Sequence, residues 1–227
     1  MVVKNDTVDQ EAPPSSRREP RWPASLAVLV TLGLYIVLPE TLTVGPRWLL
    51  PALTLALLLP LTLVVPHRHG DELPWQRFLA IALIALINVA NLISLVFLVQ
   101  FLLKGGKAEG APLILNAIDI WATNVLIFAL WYWELDRGGP AIRLRHDVRE
   151  PDFLFPQMQL AASSPAMKRW RPLFIDYVYL AFTNATAFSP TDTMPLTPWA
   201  KILMLVQSAA SLLTVALVAA RPVNILS

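Results

Sequence analysis

Residues 177–200 read YVYLAFTNATAFSPTDTMPLTPWA, and the reading of this stretch decides the fold. An apolar segment turns polar at Thr183 and Asn184, breaks at Pro190, passes Asp192, and restarts at Trp199 as a hydrophobic run reaching about Ala220. Such a profile has two physical solutions. Either the first part crosses a bilayer and the second returns, or the first part dips in and folds back.

The rest of the chain supplies the bilayer. Of 227 residues, 56% are hydrophobic and 15% charged, against about 25% charged in a soluble domain. The charges gather in short connectors between long apolar runs, and runs of about 18 residues or more match the hydrocarbon thickness as α-helix. The expected fold class is all-α, a multi-pass transmembrane helical bundle with about six membrane segments: residues 22–38, 48–65, 78–103, 112–133, 173–189 and 199–220. The fifth is the short one, bracketed by Pro172 and Pro190.

Four regions follow. Residues 1–21 are polar, Pro/Ser-rich and aperiodic, a disordered cytoplasmic tail; residues 22–135 form a four-helix membrane region; residues 136–171 form a basic connector; residues 172–227 hold the short segment, its loop and the C-terminal helix. The aromatic cluster Trp131, Tyr132 and Trp133 is of the kind that sits at headgroup level. The connector, with seven basic residues and four prolines between Arg137 and Arg171, is too small for a core of its own.

Charge sets the expected orientation. With all six segments crossing, one side carries fourteen of the eighteen Lys and Arg residues and the other keeps Arg47, Lys104, Lys107 and Lys201. Cytoplasmic loops carry the excess of Lys and Arg, so both termini are expected inside a cell (inner) membrane, with the fifth segment crossing. The basic residues are topology signals that face the lipid bilayer, not a nucleic-acid patch.

Chemistry is harder to find. There is no cysteine, which excludes disulfides, thiolate metal sites and cysteine nucleophiles. No phosphate loop, nucleophile elbow or HExxH helix appears, so no catalytic residue, cofactor or metal site is expected. His67, His69, Asp71 and Glu72 are metal-ligand types at a spacing that fits no zinc signature, and read as a solvated turn. Polar residues within spans are costly in lipid and face protein or water. They form stripes: Asn88, Asn91 and Ser94; Asn116, Asp119 and Thr123; Asp176 and Thr183; Gln207, Ser211 and Thr214. Such residues serve as hydrogen-bonding glue between helices or line a cavity. Asp119 has no basic residue near it in sequence, whereas Asp176 lies one turn from Arg171, with which an interfacial ion pair is expected.

The segment TNATAFSPTDTMPLT, Thr183 to Thr197, resembles the pore loop of the potassium-channel superfamily, whose pattern reads roughly T-x-x-T-T-V-G-Y-G-D-x-x-P-x-T. Thr183, Thr186, Asp192, Pro195 and Thr197 fall on pattern positions without gaps. Residues 176–182 are similar to the pore helix and residues 199–221 to the inner helix of such channels. The same C-terminal pattern resembles that of certain uncharacterised bacterial multi-pass membrane proteins. The filter itself differs. Ala187-Phe188-Ser189-Pro190-Thr191 replaces both glycines, whose freedom lets backbone carbonyls aim inward, and proline locks φ near −65°. A potassium-selective filter cannot be built that way. In such channels the connector before the pore helix is extracellular, which conflicts with the charge count.

The resemblance and the stripes imply a channel-like or transporter-like permeation protein, a homo-oligomer passing an ion or small solute. Thr183, Asn184, Thr186, Ser189, Thr191 and Asp192 are the pore-lining candidates. Asp119, Asp176, Asn88, Asn91, Asn116 and Gln207 are the intramembrane polar candidates. The alternative is a non-conducting scaffold or sensor working through Arg143, Arg145, Arg149, Lys168, Arg169 and Arg171, each attracted to anionic headgroups by roughly 1 kcal/mol.

Overall fold

A computed structural model describes residues 21–43, 45–46, 48–64, 74–104, 110–143, 149–160, 164, 167, 170–186 and 192–225. Among them are six helices of 13 residues or more: α1 (Trp22–Val37), α2 (Leu49–Val64), α3 (Pro74–Leu103), α4 (Gly110–Leu135), α5 (Phe174–Thr186) and α6 (Pro198–Ile225). Proline opens α3 and α6 and stands in the first turn of α1, where its missing N–H removes no helical bond. The all-α expectation holds, and α3, α4 and α6 are long and apolar enough to cross a membrane. The helices α1 and α2 have 16 residues each, about 24 Å of rise.

Two levels of packing show that α1 to α4 alternate in direction. At one end, Ala24, Leu58, Leu83 and Leu130 border one crevice of about 670 Å³. Further along, Thr31, Thr54, Asn91 and Thr123 border a second, much smaller space. The hub is α4, which packs on α1, α3, α5 and α6. Ile127, Phe128, Ala129 and Tyr132 of α4 are fully buried, and Phe182 of α5 meets Trp121 near the midpoint of α4 edge to face at 5.7 Å.

The end of α4 is sharp. Arg137, Gly138 and Gly139 have φ of 53°, 84° and 97°, so the backbone leaves the helix left-handed. A Cβ on Gly139 would come 2.9 Å from the Glu134 carbonyl oxygen, which reserves the position for glycine. Beyond this turn the chain forms a two-residue strand, β1 (Phe153–Leu154), pairing antiparallel with β2 (Met194–Pro195), Phe153 opposite Pro195.

That pairing fixes the path of the fifth segment. Tyr177, at the start of α5, is bonded to Asp136 at the end of α4, and residues 194–197, after α5, also lie at this connector end. Both flanks of α5 therefore sit at the same end of the bundle. The helices α5 and α6 start together there and run parallel to each other and antiparallel to α4. With 13 residues, α5 spans about 20 Å, less than the roughly 30 Å of a hydrocarbon core. The expectation that residues 173–189 cross as one segment is not met among the described residues: the helix ends at Thr186, and residues 194–197 stand at the end where it starts. The start of α1 and the later part of α6 stand at opposite ends of the bundle. The start of α1 lies at the connector end, where Arg21 stands over the Trp133 ring. The later part of α6, at Ala210, Leu217 and Val218, groups with Leu38, Leu42 and Leu113 at the far end.

The connector is also more than a solvated link. Phe153 and Phe155 are buried, the first tilted against Tyr132 at 4.9 Å and the second edge to face with Tyr177 at 5.4 Å. It has no core of its own because it shares that of the bundle. The aromatic cluster expected at headgroup level is likewise internal: Tyr132 and Trp133 are buried, the latter against Phe174 at 5.8 Å.

Candidate functional site

The site is the connector end of α5 and α6 and the residues that hold it. Its anchor is Asp136, fully buried at the end of α4. One carboxylate oxygen accepts the Tyr177 hydroxyl at 2.6 Å and the other accepts the Asp152 backbone N–H at 2.9 Å. The Arg143 guanidinium stands 3.7 Å from the first of these oxygens. Arg143 is itself buried; it donates to the Trp133 and Asp136 carbonyls at 3.0 and 3.2 Å and lies over the Tyr177 ring at 5.3 Å. A buried charge survives only when paired and hydrogen-bonded, and this pair meets both conditions.

A second acid continues the clasp. Asp152 accepts the Arg137 backbone N–H at 2.9 Å and the Thr197 hydroxyl at 2.8 Å, while its carbonyl accepts the Leu196 N–H at 2.9 Å. Asp136 thus holds the start of α5 and Asp152 the start of α6. Thr197 precedes α6 and accepts the Ala200 N–H at 3.4 Å, in the manner of an N-cap.

One turn deeper, a polar bridge joins α4, α5 and α6. The Gln207 carboxamide oxygen accepts from Tyr132 at 2.5 Å and from Asn184 at 2.8 Å, and its nitrogen donates to the Ala181 carbonyl at 2.7 Å. Asn184 also donates to the Met204 carbonyl and accepts from Ser208, and Asn124 donates to Ser211. The stripe of Gln207, Ser211 and Thr214 therefore faces the hub and is fully buried. Among the intramembrane candidates Gln207 is a packing residue, and so is Asn184 among the lining candidates.

The remaining lining candidates separate. Thr183 donates to the Tyr179 and Leu180 carbonyls of its own helix, and Thr186 to the Thr183 carbonyl. Asp192 is exposed at the connector end. Ser189 and Thr191 lie outside the described residues, as do the His67, His69, Asp71 and Glu72 turn and the basic residues Arg145, Lys168 and Arg169. Asp176 is not paired with Arg171. It accepts the Leu173 N–H at 2.7 Å, the reach-back of an acid at the third helical position to the N-cap, and Arg171 donates to the Arg143 carbonyl. Asp119, Asn91 and Ser94 are buried between α3, α4 and their neighbours, and Asn88 and Asn116 are half-buried.

Sequence reasoning missed Asp136, Arg143, Tyr177 and Asp152, the four residues that fix the path. Arg143 stood among the lipid-attracted residues, and the structure takes it out of that set by burying it. The only signal available was an acid and a tyrosine beside membrane segments, and neither announces a partner. What the arrangement does is hold the starts of α5 and α6 together at one end, with α5 ending at Thr186 and Asp192 exposed at the connector end. No family model, curated protein or solved structure matches this chain.

Proposed function

We propose that this chain is a pore-loop permeation protein of the membrane, working as a homo-oligomer, with residues 187–193 forming the polar part of the route. The observation that carries the reading is the pair of parallel helices α5 and α6 with both starts clasped at one end. A half-depth helix followed by a returning chain accounts for that geometry, and it is the arrangement the pore-loop resemblance implies. Backbone of this kind at membrane depth is tolerated where it is buried in protein or lines water. Oligomerisation is part of the proposal because the polar interior of one copy is closed by its own hydrogen bonds. The outer face of α6, at Leu205 and Leu212, is meanwhile exposed and apolar.

The charge count supports a definite orientation. When the fifth segment returns, only Lys201 and Arg221 exchange sides, and the connector end still carries fourteen basic residues against four. The connector end is then cytoplasmic, the C-terminus lies outside, and the loop enters from the cytoplasm, the reverse of the potassium-channel arrangement. The returning path is then shared with the pore-loop resemblance, and the side of entry is not.

Cysteines introduced one at a time at Ser164, Met194 and Lys104 test the topology. The first two should react with impermeant reagent from the cytoplasmic side only, and Lys104→Cys from the outside only. Labelling of Ser164→Cys and Met194→Cys from opposite sides would overturn the reading. For permeation, Asp192→Asn in proteoliposomes should change ion flux or its selectivity; identical flux in the variant, or none in either, removes the lining role.

A further inference from the structure

Away from the loop, α1, α2, α3 and α4 border the crevice of about 670 Å³ at the connector end. We infer that it seats one anionic phospholipid, an acyl chain along its walls and the phosphate at Arg21. Leu26, Leu29, Leu58, Leu83, Ile84 and Leu130 supply apolar wall from all four helices. The polar and charged lining residues Arg21, Ser25 and Glu134 belong to the start of α1 and the end of α4, which lie together at the connector end.

Three observations converge on that occupant. The first is size. Protein interiors leave few gaps larger than a water, and this crevice falls within the roughly 300–1,000 Å³ of small-molecule sites. Its wall on α1 runs from Arg21 to Leu29, about 12 Å of helix rise, close to the roughly 15 Å of hydrocarbon in one leaflet. The second is access. Leu26 and Leu29 line the crevice and are 51% and 47% exposed, so in a bilayer the opening faces hydrocarbon and admits a chain sideways. Trp22, exposed and also on the lining, is of the residue type that settles at headgroup level. The third is charge. Arg21, half-buried, stands over the Trp133 ring at 5.9 Å. A guanidinium has five donors, enough to stack on a ring and grip a phosphate together. Glu134, the acid on the wall, is 1% exposed, and the first turn of α1 carries no acid, so a ligand at the mouth meets the cation.

Bound so, the lipid completes the packing of the connector end on the α1 to α3 face of α4. Its chain is held by shape, and its headgroup selects an anionic lipid over a neutral one with the same chains. The inference requires only that these helices lie in a membrane and is independent of the pore-loop reading.

Native mass spectrometry of the full chain in detergent, titrated with phosphatidylglycerol or phosphatidylcholine of identical chains, tests this. One phosphatidylglycerol should be retained in preference to phosphatidylcholine, and excess inorganic phosphate should not displace it. Arg21→Gln should cut that preference about fivefold, the worth of one basic residue beside an anionic headgroup. Ala80→Phe, which fills the crevice, should lose the retained lipid of either kind. Equal retention of the two lipids by the unaltered protein, displacement by phosphate, or unchanged retention in Ala80→Phe overturns the inference. Should Ala80→Phe fail to fold, the unaltered protein decides through phosphatidylglycerol carrying a photoreactive diazirine on its chain. Crosslinks to residues 24–29 and 83–84 are the expected result, and crosslinks confined to the outer face of α6 overturn it.

Discussion

Two faces of α4 bury polar groups, and they do so differently. Toward α5 and α6, Tyr132 and Asp136 have named partners at 2.5 to 2.9 Å, and the Asn124 amide nitrogen reaches Ser211, although its amide oxygen has no partner. Toward α1, α2 and α3, one oxygen of Asp119 and the hydroxyls of Thr54 and Ser94 have no hydrogen bond from protein. Lipid is as apolar as leucine, so association in a bilayer comes from packing and interhelical hydrogen bonds, not from escape from water. The α5 and α6 side is thus held by directional bonds that admit one geometry. The α1 to α3 side is held chiefly by shape.

The comparison can be broken by substitution, and the largest effect belongs to Asp136. Asp136→Ala leaves Arg143 as a buried, uncompensated charge, and should cost about 3–5 kcal/mol, seen as a large loss of Tm or of folded protein in detergent. Gln207→Leu removes three side-chain bonds. At about 0.6 kcal/mol each, the mean for such bonds in a membrane, the loss is about 2 kcal/mol by equilibrium unfolding. Tyr177→Phe strips one bond from Asp136 and should cost about 1–2 kcal/mol. The same variant should raise proteolytic cleavage within residues 187–193, because it frees the start of α5. Asp119→Asn, on the other face, should not lower stability, since one of its oxygens has no partner to lose and a neutral group is cheaper to bury. A cost as large as that of Gln207→Leu would mean that the two faces are built alike.

Most of the helices are legible in sequence because apolar length alone defines them. Residues 78–103 were enough to find Pro74–Leu103, and residues 112–133 to find Gly110–Leu135. The amphipathic ends at Trp75 and Glu134 are where the hydropathy criterion loses contrast. The path of the fifth segment is a different kind of fact. It depends on Phe153 meeting Pro195 and on Asp136 meeting Tyr177, contacts 41 residues apart or more, and a two-residue strand has no periodicity to read. Charge counting could not help, because the two paths exchange only one lysine for one arginine. The polar stripe of Gln207, Ser211 and Thr214 was visible as a stripe. Which way it faced was not, since period gives a face and not a neighbour.

The half-depth ending of α5 has an electrostatic consequence. A helix gathers the dipoles of its peptides into roughly half a negative charge at its C-terminus, and α5 stops at Thr186, inside the bundle and beside the midpoint of α4 instead of at a solvated rim. The connector end receives the complementary positive poles of both α5 and α6, where Asp176 and Thr197 answer them through backbone N–H groups. At the interior end the Thr186 and Ser208 hydroxyls donate to the Thr183 and Asn184 carbonyls, in surroundings whose low dielectric screens little. A small charged species brought to the depth of Thr186 would meet a helix-end potential that favours a cation over an anion.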